Sequence, residues 1–140
     1  MFAEGSIGEQ MKVGFLGVQC DTANMGLAAL TYASVLITRR VIAGDAEVVL
    51  FSVNSTPELE QLKCELGLER TIIKAAPFRH KNPLAMAGSL REMASCDLIV
   101  DFTGGDSFSD IYGLRRLWRK LLHKQMVLAS RTPLVLAPQT

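Results

Sequence analysis

Residues 12–53 read KVGFLGV, QCDTANMG, LAALTYASVLITRRVIA, GDA and EVVLFSV in succession. The first block is a short apolar run with glycines and the last is rich in β-branched residues, the composition of buried strands. Between them, Leu27 to Ala43 is rich in Ala and Leu, apolar around most of its circumference, and ends before Gly44. That pattern predicts a buried helix stopped by a C-terminal glycine. Strand, helix and strand at this spacing make one right-handed βαβ unit.

The same alternation continues outward. Ser55-Thr56-Pro57-Glu58 marks a helix start, with a hydroxyl cap and Pro at the first helical position, and the short helix ends at Gly67. Thr71 to Ala75 reads as a third strand and Leu84 to Ala94 as a helix. Asp97 to Phe102 (DLIVDF) reads as a fourth strand, Leu114 to Leu128 as an amphipathic helix and Pro133 to Ala137 as a fifth strand. On the last helix Leu114, Leu117, Trp118, Leu121, Leu122 and Met126 form one apolar stripe. The prediction is an α/β fold: a doubly wound, Rossmann-like domain with a five-stranded parallel sheet, helices on both faces and strand order 3-2-1-4-5. Residues 1–11 read as a loose leader, with Met11 an alternative start, and residues 12–140 as the domain.

Composition agrees with one compact core and removes several function classes. A chain of 140 residues that is 49% hydrophobic, with formal net charge +1, is neither disordered nor too short to fold. No run of about 18 uncharged apolar residues is long enough to span a membrane, and the start MFAEGSIGEQ lacks the pattern of a secretory signal. Three dispersed cysteines, Cys20, Cys64 and Cys96, suit a reduced cytoplasmic protein better than a disulfide scaffold. With only two His, no metal site or other cofactor is expected. The nearly neutral total hides an asymmetry. Residues 1–110 hold 9 basic and 14 acidic side chains, whereas residues 111–140 hold 6 basic ones and no acid.

In a sheet of this order, ligands bind beyond the carboxyl ends of the strands where the order reverses. That singles out the loops after the first and fourth strands, residues 19–26 and 103–110, with His80 at the edge after the third. Gly104-Gly105 allows a sharp turn and close approach of backbone amides to a ligand. Asp106 and Ser107 offer a carboxylate, suited to general-base work, and a hydroxyl. The alternative is that Gly-Gly ends the strand and Asp106, Ser107 or Asp110 caps the next helix. Asn24 and Gly26 are equally two-sided: a helix cap with a turn, or a ligand contact with a close backbone approach. His80 is either a solvated loop residue or a catalytic one. Asp101, a charge inside an apolar strand, needs a partner; it is either a buried anchor or the strand-end acid of a site.

Absent motifs narrow the field. There is no G-x-G-x-x-G after the first strand and no G-x-x-x-x-G-K-[ST] phosphate loop. Gly105-Asp106-Ser107-Phe108-Ser109 lacks the second glycine of a nucleophile elbow, and only His123 follows it. The helix over residues 114–128 carries Arg115, Arg116, Arg119, Lys120 and Lys124. They are read as a solvated outer face, or as contacts to an acidic partner or anionic lipid headgroups. Nucleic acid is disfavoured, because Trp118 belongs to the apolar stripe and other aromatics are not interleaved with the charges.

Three stretches together resemble the N-terminal half of the polysaccharide pyruvyl transferase family. They are Asn24-Met25-Gly26-Leu27-Ala28-Ala29, Asp97-Leu98-Ile99-Val100 running into Gly104-Gly105-Asp106-Ser107-Phe108, and Pro133-Leu134-Val135-Leu136-Ala137-Pro138-Gln139-Thr140. Leu27 stands where the family's first loop carries an acidic residue. The resemblance implies a two-domain, GT-B-type transferase of the cytoplasm that moves pyruvate from phosphoenolpyruvate to a saccharide hydroxyl as a ketal, on precursors of cell-surface polysaccharides. It implies that this domain forms the acceptor side of the cleft, with Asn24, Gly26, Gly104, Gly105, Asp106, Gln139 and Thr140 lining it. The donor site is then expected in a second domain, through basic residues and a His, and no transfer is expected from these 140 residues alone. Two other readings stay open: half of a nucleotide-sugar glycosyltransferase of the same architecture, and a non-enzymatic α/β interaction module that uses the basic helix.

Overall fold

A computed structural model describes residues 10–20, 25–42, 45–51, 57–66, 71–76, 82–103 and 113–137. The apolar runs form β1 (Met11–Leu16), β2 (Ala46–Phe51), β3 (Thr71–Ala76), β4 (Leu98–Asp101) and β5 (Leu134–Leu136). The helices are α1 (Met25–Val41), α2 (Pro57–Glu65), α3 (Pro83–Ala94) and α4 (Leu114–Ser130). All strand pairs are parallel and the sheet order is β3-β2-β1-β4-β5. The chain therefore reverses direction across the sheet between β1 and β4, as the alternation predicts.

Local chemistry sets the element ends. β1 stops at Leu16 because Gly17 turns to φ 70°, a conformation that L side chains rarely adopt. At its other end the Lys12 amide donates to Asp97 Oδ2 at 2.7 Å and the Asp97 amide donates to the Lys12 carbonyl at 2.8 Å, which fixes β4 beside β1. Asn82 caps α3, its side chain accepting from the Leu84 amide at 3.0 Å, with Pro83 at the first helical position. α4 ends at Arg131, whose left-handed φ of 61° takes the place of a C-terminal glycine. Gly44, the expected stop of α1, lies outside the described residues.

The sheet separates two apolar clusters. Val13, Phe15, Val48, Leu50 and Ile73 pack with Val35, Leu59 and Leu62 of α1 and α2 on one face. Leu16, Val49, Phe51 and Ile99 pack with Met93, Cys96, Met126 and Val127 on the face of α3 and α4. Phe51 crosses over β1 because Gly14 has no side chain. A Cβ at Gly14 would lie 2.6 Å from the Phe51 ring and 3.0 Å from Ile99.

Two expectations need correction. α1 is not a buried helix. Only Thr31, Ser34 and Val35 are buried, while Leu30, Leu36, Ile37 and Val41 are exposed. Its inner face meets the sheet through Val35 and Tyr32 beside the small hydroxyl residues Thr31 and Ser34, and no described element covers its outer flank. On α4 the expected apolar stripe is split. Met126 is buried and Leu122 packs against the second cluster, but Leu114 and Trp118 face solvent at 64% and 65% exposure. Lys124, read from the sequence as part of the solvated face, instead turns inward.

The cysteines divide by reactivity. Cys64 is exposed, whereas Cys20 and Cys96 are buried. Burial pushes the Cys96 thiol up to about 12, so it stays protonated, and therefore unreactive, at any pH below that. Iodoacetamide at pH 8 is expected to add once to the native chain, at Cys64, and three times after unfolding. More than one rapid adduct on native protein, read by mass spectrometry, would contradict this burial pattern.

Candidate functional site

The strand order brings the carboxyl ends of β1 and β4 together, and the contact between them is backbone on backbone. The Phe102 amide donates to the Leu16 carbonyl at 2.9 Å, extending the pairing one residue past β4. Beyond it, Gly17 lies directly on Thr103. A Cβ at Gly17 would fall 2.6 Å from the Thr103 nitrogen and 2.8 Å from its Cα, so only glycine permits the approach.

Asp101 organises this edge from beneath. It is 1% exposed and ion-paired with Lys124 of α4, whose side chain is 14% exposed. Its Oδ1 accepts from the Thr103 amide at 2.8 Å, and its carbonyl accepts from the Ala137 amide at 3.0 Å. One residue thereby joins the ends of β4 and β5 and the helix between them. Of the two roles open to Asp101 in the sequence, this geometry is that of the buried anchor.

On the β1 side, Thr31 plays a comparable part. Its fully buried hydroxyl accepts from the Gln19 amide at 3.1 Å. The hydroxyl proton lies within reach of the Gln19 and Leu27 carbonyl oxygens, each at 2.9 Å. The chain leaving β1 is thus tied to the second turn of α1. Thr31, one of two small hydroxyl residues with Ser34 in the mostly apolar run 27–37, was the sequence signal for this tie. For Lys124 the signal was the unpaired acid in β4. Neither signal names its partner, since both contacts join residues from different elements.

Of the residues expected to contact a ligand, Gly26 is described: it lies in the first turn of α1 and is exposed. Asn24, His80, Gly104, Gly105, Asp106, Ser107, Gln139 and Thr140 lie outside the described residues. Their neighbours in the chain are placed. Cys20 and Thr103, the last described residues before the two loops, leave adjacent strands, and Ala137 leaves the next strand over. Cys20, Thr103 and Ala137 are all buried.

A second polar feature sits on the α3 face, toward the amino ends of β1 and β2. Lys74 Nζ contacts Glu47 Oε1 at 2.7 Å, Glu47 contacts Lys12 at 3.2 Å, and Lys12 contacts Glu92 at 2.6 Å. Burial works against the charge on Lys12, but the hydrogen bonds to Glu92 and Glu47 outweigh it and hold its pKa above the ordinary lysine value. Burial likewise opposes the Glu47 carboxylate, and Lys74 and Lys12 overcome it, lowering the pKa. Both shifts keep Lys12 and Glu47 ionised at neutral pH. It borders a groove of about 460 Å³ between β3 and α3, lined by Lys74, Ala76, Ala85, Ser89 and Glu92 among others. Its charged members are already paired, so the groove presents a braced surface and no free acid or base. Among the described residues no three His, Cys, Asp or Glu side chains converge to hold a metal ion. None of the described helices is long and apolar enough to cross a membrane.

Compared with protein-family models, with curated proteins and with solved structures, the chain matches none.

Proposed function

We propose that this chain forms the acceptor-side wall of a polysaccharide pyruvyl transferase-like enzyme of the cytoplasm. The observation that carries the reading is the adjacency of β1 and β4 at the point where strand order reverses. The two loops that bear the family-like residues continue from these strand ends, at the position where open α/β sheets receive ligands. A further support is the way the described edge satisfies itself. The amides of Gln19, Phe102, Thr103 and Ala137 all donate inward. This rigid rim leaves recognition to the segments that follow it.

In the proposed reaction two hydroxyls of one saccharide add to C2 of phosphoenolpyruvate. Two C–O bonds form there and the bond from C2 to the phosphate ester oxygen breaks. One hydroxyl proton ends on C3, giving the methyl group, and the other leaves with phosphate. Asp106 accepts a proton from an acceptor hydroxyl. Asn24, Ser107, Gln139 and Thr140 hydrogen-bond the sugar, with His80 at the cleft margin. Gly26, Gly104 and Gly105 let backbone approach it. The phosphoenolpyruvate belongs to a second domain.

The test is a titration of the isotopically labelled chain with hexopyranosides bearing a free diol, followed by NMR. Shifts are expected at Gly17, Val18, Thr103 and Ala137, with affinity falling about tenfold in Asp106→Ala for loss of one hydrogen bond to a charged group. Phosphoenolpyruvate alone should leave these signals unmoved. Shifts caused by nucleotide sugars and by no free saccharide would overturn the proposal and favour the glycosyltransferase reading.

A further inference from the structure

The outward side of α4 combines an exposed apolar row with a flank of cations. Leu114, Trp118, Leu121, Gln125 and Leu128 recur at intervals of three and four residues, one per turn, and so form a single row along the helix. Leu114, Trp118 and Leu128 are each about two-thirds exposed, and Leu121 is half-buried. Arg115 and Arg119 are exposed along one flank of the row. Residues 111–140 contain no acid at all. Among the described residues no carboxylate pairs with Arg115, Arg119 or Arg131. A helix that exposes its apolar row and borders it with cations alone is complementary to a surface that is apolar within and anionic at its rim.

We propose that α4 docks this domain on an anionic lipid surface. The Leu114, Trp118 and Leu128 side chains enter the headgroup boundary, and Arg115 and Arg119 pair with lipid phosphates. A lipid interface is favoured over an acidic protein by shape. The row lies along the rounded surface of one helix, where a fluid interface can close around it without a pocket for anchor residues. α4 runs 17 residues, roughly 25 Å at 1.5 Å per residue, so it lies in the interface plane and does not span it. The proposal is independent of the transferase reading, because none of these residues belongs to the proposed cleft.

Trp118 is the single tryptophan of the chain, so its emission reports on this surface alone. With mixed phosphatidylglycerol and phosphatidylcholine vesicles the emission is expected to shift to the blue, and brominated lipid to quench it. Phosphatidylcholine vesicles alone should give neither effect, and raised salt should reverse both. Arg115→Gln with Arg119→Gln is expected to weaken partitioning by about 25-fold, roughly fivefold per arginine. Leu114→Asn with Leu128→Asn should weaken it while leaving the arginines in place. All four side chains are exposed, and circular dichroism checks that the variants fold. An absent shift, or an equal shift on neutral vesicles, overturns the proposal. A shift given by a soluble acidic amphipathic peptide and by no vesicle also overturns it and assigns the face to a protein.

Discussion

Lys124→Met is expected to lower unfolding free energy by about 3–5 kcal/mol, the range for stranding one charge of a buried pair. Asp101 is almost wholly enclosed, and the ammonium of Lys124 is its cationic partner. Removing that partner leaves a carboxylate whose other contacts, to the Thr103 amide and through its own backbone to Ala137, hold it in place and prevent escape to water. The double variant Asp101→Asn with Lys124→Met should recover most of the loss. The amide oxygen still accepts from Thr103 and no charge remains to be desolvated. Urea unfolding of the two single variants and the double one measures the coupling. If the losses simply add, the pair is not the anchor that the geometry describes.

The second large effect is expected at Gly17. Gly17→Ala combines a left-handed backbone, costing about 1–2 kcal/mol for an L residue, with a Cβ set against the Thr103 backbone. Because the obstacle is main chain, no side chain can swing aside, and the total is expected to reach about 3 kcal/mol or more. Gly113 supplies the control. Its φ of 90° is similarly unfavourable, yet nothing lies within 4 Å of a Cβ there. With ψ 145° it lies in an extended positive-φ region essentially reserved for glycine, so Gly113→Ala should cost about 1–3 kcal/mol, the conformational part alone. A larger loss at Gly17 than at Gly113, read from urea midpoints, is the expected signature of the contact between the ends of β1 and β4. Equal losses would show that the contact contributes nothing.

The order of elements and the sheet topology were legible because they follow from periodicity and from the handedness of βαβ units, both local properties of the chain. What could not be read was which side of a helix meets the sheet. α4 displays the strongest amphipathic pattern in the sequence, yet its apolar row points partly outward, since Val127, Met126 and Lys124 take up the inward contacts. α1 looked buried because Ala, Leu and Val surround it, but a helix needs neighbours on every side to be buried, and composition does not count neighbours. The anchoring of the candidate site was half legible. Asp101 announced that it required a cation; that the cation would come from position 124, in the helix that follows, depended on how α4 packs on the sheet. Of the ligand-contact residues, Gly26 alone lies among the described ones, so Asp106 and its neighbours rest on the chemistry of their side chains and on the strand ends from which they continue.

The division of the interior by the sheet has a consequence for how this chain tolerates change. Phe15 and Leu16 are consecutive, yet they belong to different clusters on opposite sides of β1. A volume change around Leu59 or Leu62 is felt by Val35 and Phe15 but meets a wall of backbone before it reaches Met93 or Val127. Substitutions in the two layers fall in separate clusters, and effects at well-separated sites add. Each half can therefore drift, or be redesigned, on its own schedule; even Gly14, which makes room for Phe51, answers to one layer alone, since Phe51, Cys96 and Ile99 share a cluster.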